Sequence, residues 1–323
     1  MYKTFFNLTR NPFEITPDPS FLFTTKRYNE ALAALYYGVR QHKGFVVLTG
    51  EVGTGKTLLL RCLLQLLKLS QDVSFAYLFN NRLSATQFLQ SVVSDFGLPA
   101  SGKNKSELLL ELCNYVLSRG LKKLTTVLIV DEAHHLSTDI LEEIRLLTNL
   151  ETTTEKLLQV LLVGQPELDE KLDSIGLRQL KQRIALRSRL EPLNATETKE
   201  YIEKRLHVAG ANSSATTLFP AETIQSVYRY SRGTPRLINT ICDSALLNAY
   251  TRQMRYVTPE IIDGIVEDLR LDVVVSTDSA RDQEASGAEV RRAAETLLEL
   301  YASLHESRAR KEKLRVPVTT QFP

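Results

Sequence analysis

The string Gly50-Glu51-Val52-Gly53-Thr54-Gly55-Lys56-Thr57 matches the spacing GxxxxGK(S/T). It lies between the apolar run Phe45-Val46-Val47-Leu48-Thr49 and an apolar stretch over residues 58–69. A strand therefore runs into it and a helix leaves it. Gly50, Gly53 and Gly55 remove side chains, so that backbone N–H groups can point at phosphate oxygens. The helix that follows adds its positive N-terminal end. Lys56 is placed to bridge β- and γ-phosphates, and Thr57 to set its hydroxyl on Mg²⁺. The expected phosphate-binding set is Gly50, Glu51, Val52, Gly53, Thr54, Gly55, Lys56, Thr57 and Leu58. A tight turn that merely caps a helix is the competing reading, and an eight-residue match in the right context weighs against it.

Residues 73–79, 126–130, 157–163 and 187–193 read as further strands. Residues 28–42, 84–96, 105–119, 138–149 and 176–186 read as helices. Thr126-Val127-Leu128-Ile129-Val130 is apolar or β-branched throughout, the pattern of a strand buried on both faces. Strands alternating with helices predict an α/β fold, a parallel sheet sandwiched by helices. After Pro192 only helices are predicted, over 196–209, 221–231, 235–251 and 258–269, with Thr196 and Thr258 as N-caps and Pro259 in a first turn.

The chain thus divides into a core with an aromatic N-terminal segment over 1–194, a small all-helical domain over 195–271, and a flexible linker with a basic C-terminal helix and tail over 272–323. Phe5, Phe6, Phe13, Phe21 and Phe23 are too apolar for a free tail, and the N-terminal segment is expected to pack on the core that follows it.

Composition narrows the partners. Of 323 residues, 43% are hydrophobic and 24% charged, which excludes global disorder. A net charge of +2 gives no global case for nucleic acid or membrane, although a local patch remains open. Cys62, Cys113 and Cys242 form no CxxC pair and are read as buried thiols. No run approaches the roughly 18 apolar residues that cross a bilayer, and the first residues lack a signal-peptide core, so a cytoplasmic protein is expected.

Val127-Leu128-Ile129-Val130-Asp131-Glu132 is an apolar strand that ends in two carboxylates. Ligands of such folds lie at the carboxyl ends of parallel strands. Asp131 is therefore expected to hold Mg²⁺ through water, and Glu132 to orient or activate a water near the γ-phosphate. A solvated strand end is the bland alternative. His134 and His135 follow; His134 is read as a polar supporting or packing residue, with a coupling role as the alternative. Neighbours on a turn are not expected to converge on one metal ion.

A phosphate loop with such a strand resembles the AAA+ ATPases, whose inserted strand brings the two motifs side by side. The resemblance implies ATP and Mg as ligands and a helical lid after the sheet. It implies a sensor at the end of the fourth strand, where Gln165 of Gly164-Gln165-Pro166-Glu167-Leu168 stands. Capping of the next helix is the other reading of Gln165.

Gly233-Thr234-Pro235-Arg236-Leu237-Ile238-Asn239 has its own physical reading. Gly233 ends one helix, Thr234 caps the next and Pro235 takes its first position. Arg236 then opposes the helix dipole, at a cost of about 0.3–1 kcal/mol that a phosphate would offset. The string is similar to the AAA+ second sensor, which implies that Arg236 reaches the γ-phosphate. The same family implies an arginine finger acting in trans, and hence a homo-oligomer. Arg183 is the choice, with Arg178 and Arg187 as alternatives.

The N-terminal Phe6-Asn7-Leu8, Asn11-Pro12-Phe13, Pro17-Asp18-Pro19 and Phe21-Leu22-Phe23, taken with these motifs, resemble the general secretion pathway protein A (ExeA-like) ATPases over residues 1–270. The resemblance implies Phe13 or Pro12 near an adenine. Its longer members continue into a membrane span and a peptidoglycan-binding domain, which are not expected here.

Three functions follow as expectations. The first is an assembly ATPase for a secretion, pilus or exopolysaccharide-export system, cytoplasmic or peripheral at the inner membrane, with an envelope-machinery partner. The second is a DNA-associated regulator of transposition, with Arg178, Lys181, Arg183, Arg187 and Arg189 gathered on one face of a ring. The third is a nucleotide switch with little turnover, against which Glu132 argues.

Overall fold

The structure, a computed structural model, describes residues 2–15, 18–79, 83–153, 155–211 and 215–271. The linker and basic tail expected over 272–323 lie outside the described residues. The elements run α1 (Tyr2–Phe5), α2 (Lys26–Arg40), β1 (Phe45–Gly50), α3 (Lys56–Leu69), β2 (Val73–Leu78), α4 (Ala85–Asp95), α5 (Lys105–Leu121), β3 (Thr125–Val130), α6 (Thr138–Leu147), β4 (Leu158–Gly164), α7 (Glu167–Leu172), α8 (Arg178–Lys181) and β5 (Ile184–Leu190). Helices alone follow: α9 (Ala195–Val208), α10 (Ala215–Leu218), α11 (Ala221–Ser231), α12 (Pro235–Thr251) and α13 (Pro259–Asp268).

The five strands form one parallel sheet in the order β2-β3-β4-β1-β5. Every residue of β1, β3 and β4 is buried, as their unbroken apolar runs require. The period of two divides their side chains between two cores. Val46, Leu48, Val127, Ile129, Leu161 and Val163 meet α2 and α3 on one face. Phe45, Val47, Leu128, Val130, Val160 and Leu162 meet α4, α5 and α6 on the other. This is the sandwich that the alternation predicts.

Three local expectations change. The helix expected over 176–186 shrinks to a 3₁₀ turn at Ile175–Leu177 and the single turn of α8. β5 begins instead at Ile184, because Ile184 and Leu186 pair with Phe45 and Val46 of β1. Sheet pairing outweighs the weak helical preference of that stretch. The cap of α9 is Asn194, not Thr196; Asn194 and Glu197 exchange side-chain-to-backbone bonds at both places of a capping box.

The N-terminal segment packs on the C-terminal helices rather than on the sheet. Phe6, Leu8, Phe13 and Phe21 join one buried cluster with Ile202, Leu206, Val227, Ile241, Leu246 and Ile262. Phe13 meets Phe219 edge-on at 5.8 Å. Arg205 of α9 donates to the Pro12 carbonyl at 2.7 Å and lies 5.0 Å from the Phe21 ring. Helices already cover both faces of the sheet, so the helices after it offer the remaining apolar surface.

Phe13 is fully buried. We expect Phe13→Ala to destabilise the protein by about 3–5 kcal/mol, seen as a lower urea midpoint. Exposed Phe79→Ala (73% accessible) should leave that midpoint in place.

Candidate active site

Parallel strands place their carboxyl ends on one edge of a sheet, and here β4 lies between β1 and β3. The loop after β1, the acid pair after β3 and Gln165 after β4 therefore share that edge. Together with the start of α12 they bound a cleft of about 350 Å³, lined by Gly53, Gly55, Lys56, Thr57, Leu58, Glu132, Gln165 and Arg236. Val52, Ile15, Tyr201, Arg205 and Asn239 also line the cleft. Of these last four, pattern reading reached only Asn239, the end of the string that begins at Gly233. Each is ordinary in its local context, and only packing of the N-terminal segment on α9 and α12 brings them here.

The loop is built as its glycines require. Gly53 and Gly55 have φ of +81° and +102°, which side chains on L-residues rarely allow. Gly53 is also a point of close approach: a Cβ there would lie 2.6 Å from Cβ of Arg236. Its carbonyl accepts from the Arg236 N–H at 3.2 Å. This bond replaces the expected cap, since Thr234 holds the N-cap position of α12 but its hydroxyl makes no capping bond. A loop carbonyl thus takes up a free amide of the helix start.

Lys56 is buried, and its Nζ donates to the carbonyls of Gly50 and Glu51 at 2.7 and 2.9 Å. Burial lowers its pKa, against the pull of Glu132 and Asp131. Asp131 is buried too, and burial raises its pKa. A donated bond from the Tyr77 hydroxyl at 2.8 Å and one from the Glu132 N–H at 2.9 Å favour its charged form. Tyr77, which no motif marks, thus orients the carboxylate. Thr57 and Asp131 offer a hydroxyl and a carboxylate, hard oxygen donors of the kind Mg²⁺ takes.

Glu132 has φ of +52°, a left-handed conformation uncommon for a side chain of its size. Such residues cost about 1–3 kcal/mol and cluster at functional sites. Glu132 opens a 3₁₀ turn, Ala133–His135, which brings the tilted rings of His134 and His135 to 4.0 Å between centroids. Ligand atoms of Glu132, His134 and His135 lie within 4.8 Å of one another. The tight turn therefore converges the neighbours that spacing alone keeps apart. Both His134 nitrogens, however, face Gln165: Nδ1 lies 3.3 Å from its N–H, and Nε2 3.0 Å from its side-chain amide.

Arg178, Arg183 and Arg187 do not line this cleft. Arg183 donates to the Arg145 carbonyl and to Oγ1 of Thr148 at 2.8 Å, at the end of α6. Arg187 pairs with Asp169 and Asp173 at 3.1 and 3.6 Å, and Asp169 also accepts from Thr49. Arg178 is exposed on α8.

A sheet of this order, with a phosphate loop and an acid pair on one edge and helices after it, has the AAA fold. Residues 39–172 match the family model described as AAA domain. The solved structures agree in fold. Cdc6p from Pyrobaculum aerophilum superposes with a TM-score of 0.59 at 20% identity, covering 80% of this chain and 72% of that one. The ORC2 protein of Aeropyrum pernix, in its ADPNP-ADP complexes, gives 0.57 at 18%, covering 80% and 71%.

Within this class the chain resembles general secretion pathway protein A. It is 45% identical to that protein from Aeromonas hydrophila over 253 residues, which are 78% of this chain and 45% of the relative. The chain spans about half the length of that relative. No helix among the described residues is long and apolar enough to cross a membrane.

Because Gly53 is both left-handed and pressed against Arg236, we expect Gly53→Ala to weaken binding of a fluorescent ATP analogue by at least tenfold, about 1.4 kcal/mol. Circular dichroism should remain that of the wild type.

Proposed function

We propose that this cleft binds ATP with Mg²⁺ and hydrolyses it. The observation that carries this reading is the convergence of Lys56, Glu132, Gln165 and Arg236 on one cleft from four separate stretches of chain. The backbone of Gly50, Glu51, Val52, Gly53, Thr54, Gly55, Lys56, Thr57 and Leu58 would wrap the phosphates. Lys56 would leave its two carbonyl partners for phosphate oxygens, a stronger charge-assisted bond. Thr57 and Asp131 would hold Mg²⁺, which when bound neutralises charge on the phosphates. Glu132 would hold the attacking water and take its proton, while Gln165 and Arg236 would contact the γ-phosphate.

The direct bond between Gly53 and Arg236 supports a lid role for residues 195–271 against a core within 1–194, because a change at the phosphates would move the start of α12. We assign the protein to a homo-oligomer in which an arginine serves the neighbour's site. Arg183 remains the choice by position, and its bonds to Arg145 and Thr148 would have to open; Arg178 and Arg187 are the alternatives. The 45% identity to general secretion pathway protein A supports an assembly ATPase of an envelope secretion, pilus or polysaccharide-export system. It would act in the cytoplasm or at the inner membrane surface, with an envelope-machinery partner. Glu132 weighs against a switch without turnover, and a net charge of +2 weighs against a DNA-bound regulator.

We expect Glu132→Gln to lower ATP turnover by about 10²–10⁴-fold while ATP still binds, measured by phosphate release and by equilibrium titration. Chelation of Mg²⁺ should abolish turnover of the wild type. The mass of the particle should rise with ATP. ATP binding without turnover or assembly would overturn the motor reading, and salt-dependent DNA binding with ATP would favour the regulator.

A further inference from the structure

His134 stands beside Glu132 and Gln165, which the proposed reaction places at the water and at the γ-phosphate, and its fit there is tight. Its side chain is 7% exposed, against 42% for Glu132. Lys171 of α7 donates to the carbonyls of His134 and Leu136 at 2.6 and 2.8 Å, pinning the 3₁₀ turn. Gly164 ends β4 beside it: a Cβ there would lie 3.1 Å from the backbone nitrogen of His134 and 3.0 Å from the Leu168 side chain. The absence of a side chain at Gly164 lets the turn and the end of β4 approach.

One ring nitrogen, Nδ1, then has two claimants. Nδ1 lies 3.3 Å from the backbone N of Gln165 and 3.4 Å from Oε2 of Glu132. A neutral imidazole has one N–H and one lone pair. If Nδ1 carries the lone pair, it accepts from the Gln165 N–H, and the Nε2 hydrogen faces the Gln165 side-chain amide, whose oxygen must accept it. If Nδ1 carries the hydrogen, it donates to Glu132, and Nε2 must accept from the amide nitrogen of Gln165. The hold on Glu132 and the orientation of the Gln165 amide are therefore set together. Desolvation lowers the pKa of His134, and His135 beside it acts in the same direction.

We infer that His134 is a positioning residue that couples Glu132 to Gln165, its one ring deciding both how the carboxylate is held and which end of the amide faces the cleft. The inference rests on the proposed hydrolysis. It assigns no contact between His134 and the substrate.

The test compares His134→Ala, His134→Asn, Gln165→Ala and the double variant H134A/Q165A. The readouts are kcat and KM for ATP, affinity for a fluorescent ATP analogue, and thermal melting. We expect His134→Ala to lower kcat by about tenfold or more, with affinity within about threefold of the wild type, the pattern of a lost transition-state interaction. The double variant should be no slower than the slower single, because groups acting as one unit are not additive. The Asn side chain ends near the Nδ1 position, so His134→Asn should recover part of the lost kcat.

A kcat for His134→Ala within twofold of the wild type would overturn the assignment. So would multiplicative losses in the double variant, or a loss confined to melting temperature and affinity. Glu132→Gln separates the two readings. If that variant turns over ATP normally, the assignment of the water to Glu132 fails, and the proposed mechanism with it. If it is dead while His134→Ala is unimpaired, only the role of His134 fails.

Discussion

The placement of β4 between β1 and β3 sets where the phosphate loop, the acid pair and Gln165 stand in the cleft. All three strands are parallel and fully buried, so their carboxyl ends emerge together, and side-chain alternation leaves no freedom in register. A slip of one residue would carry Val127 and Ile129 into the core that Leu128 and Val130 fill. Lys56, Glu132 and Gln165 meet because of this constraint. Asp131 is held in the same way, its N–H continuing the ladder to the Leu78 carbonyl at 2.8 Å.

A second dependence runs through the C-terminal helices. The aromatic N-terminal segment enters their core, with Thr9 donating twice to the Ala209 carbonyl and Arg255 donating to that of Phe5. The same helices meet the phosphate loop through Gly53 and Arg236. Chain start, helical region and phosphate loop are thus linked by a few directional contacts over a large apolar cluster. That cluster is internal to these helices and the N-terminal segment.

Much of this was legible in the chain. The phosphate loop, the acid pair and the proline at the start of α12 are local signals, since each works through residues a few positions apart. The five strands were found for the same reason. The helix over 176–186 misled because Ile184 and Leu186 have no strong local preference; their pairing with Phe45 and Val46 decided the matter. Thr234 holds the expected N-cap position of α12 but makes no capping bond, and the group that takes up the Arg236 amide lies on a distant loop. The bland reading of His134 was open in the sequence, and the 31-residue separation between His134 and Gln165 hid their contact.

The sequence by itself determined the class of chemistry and the class of fold. Glycine spacing, a lysine and threonine at a helix start, and two carboxylates after a buried strand are short-range codes with few physical solutions. Only the tertiary structure decided which core receives the N-terminal aromatics, what takes up the first amides of α12, and how Glu132, His134 and Gln165 meet. Those outcomes depend on which surfaces remain uncovered once the sheet is sandwiched, and on the close approach of backbones far apart in the chain, for which no local pattern carries a signal.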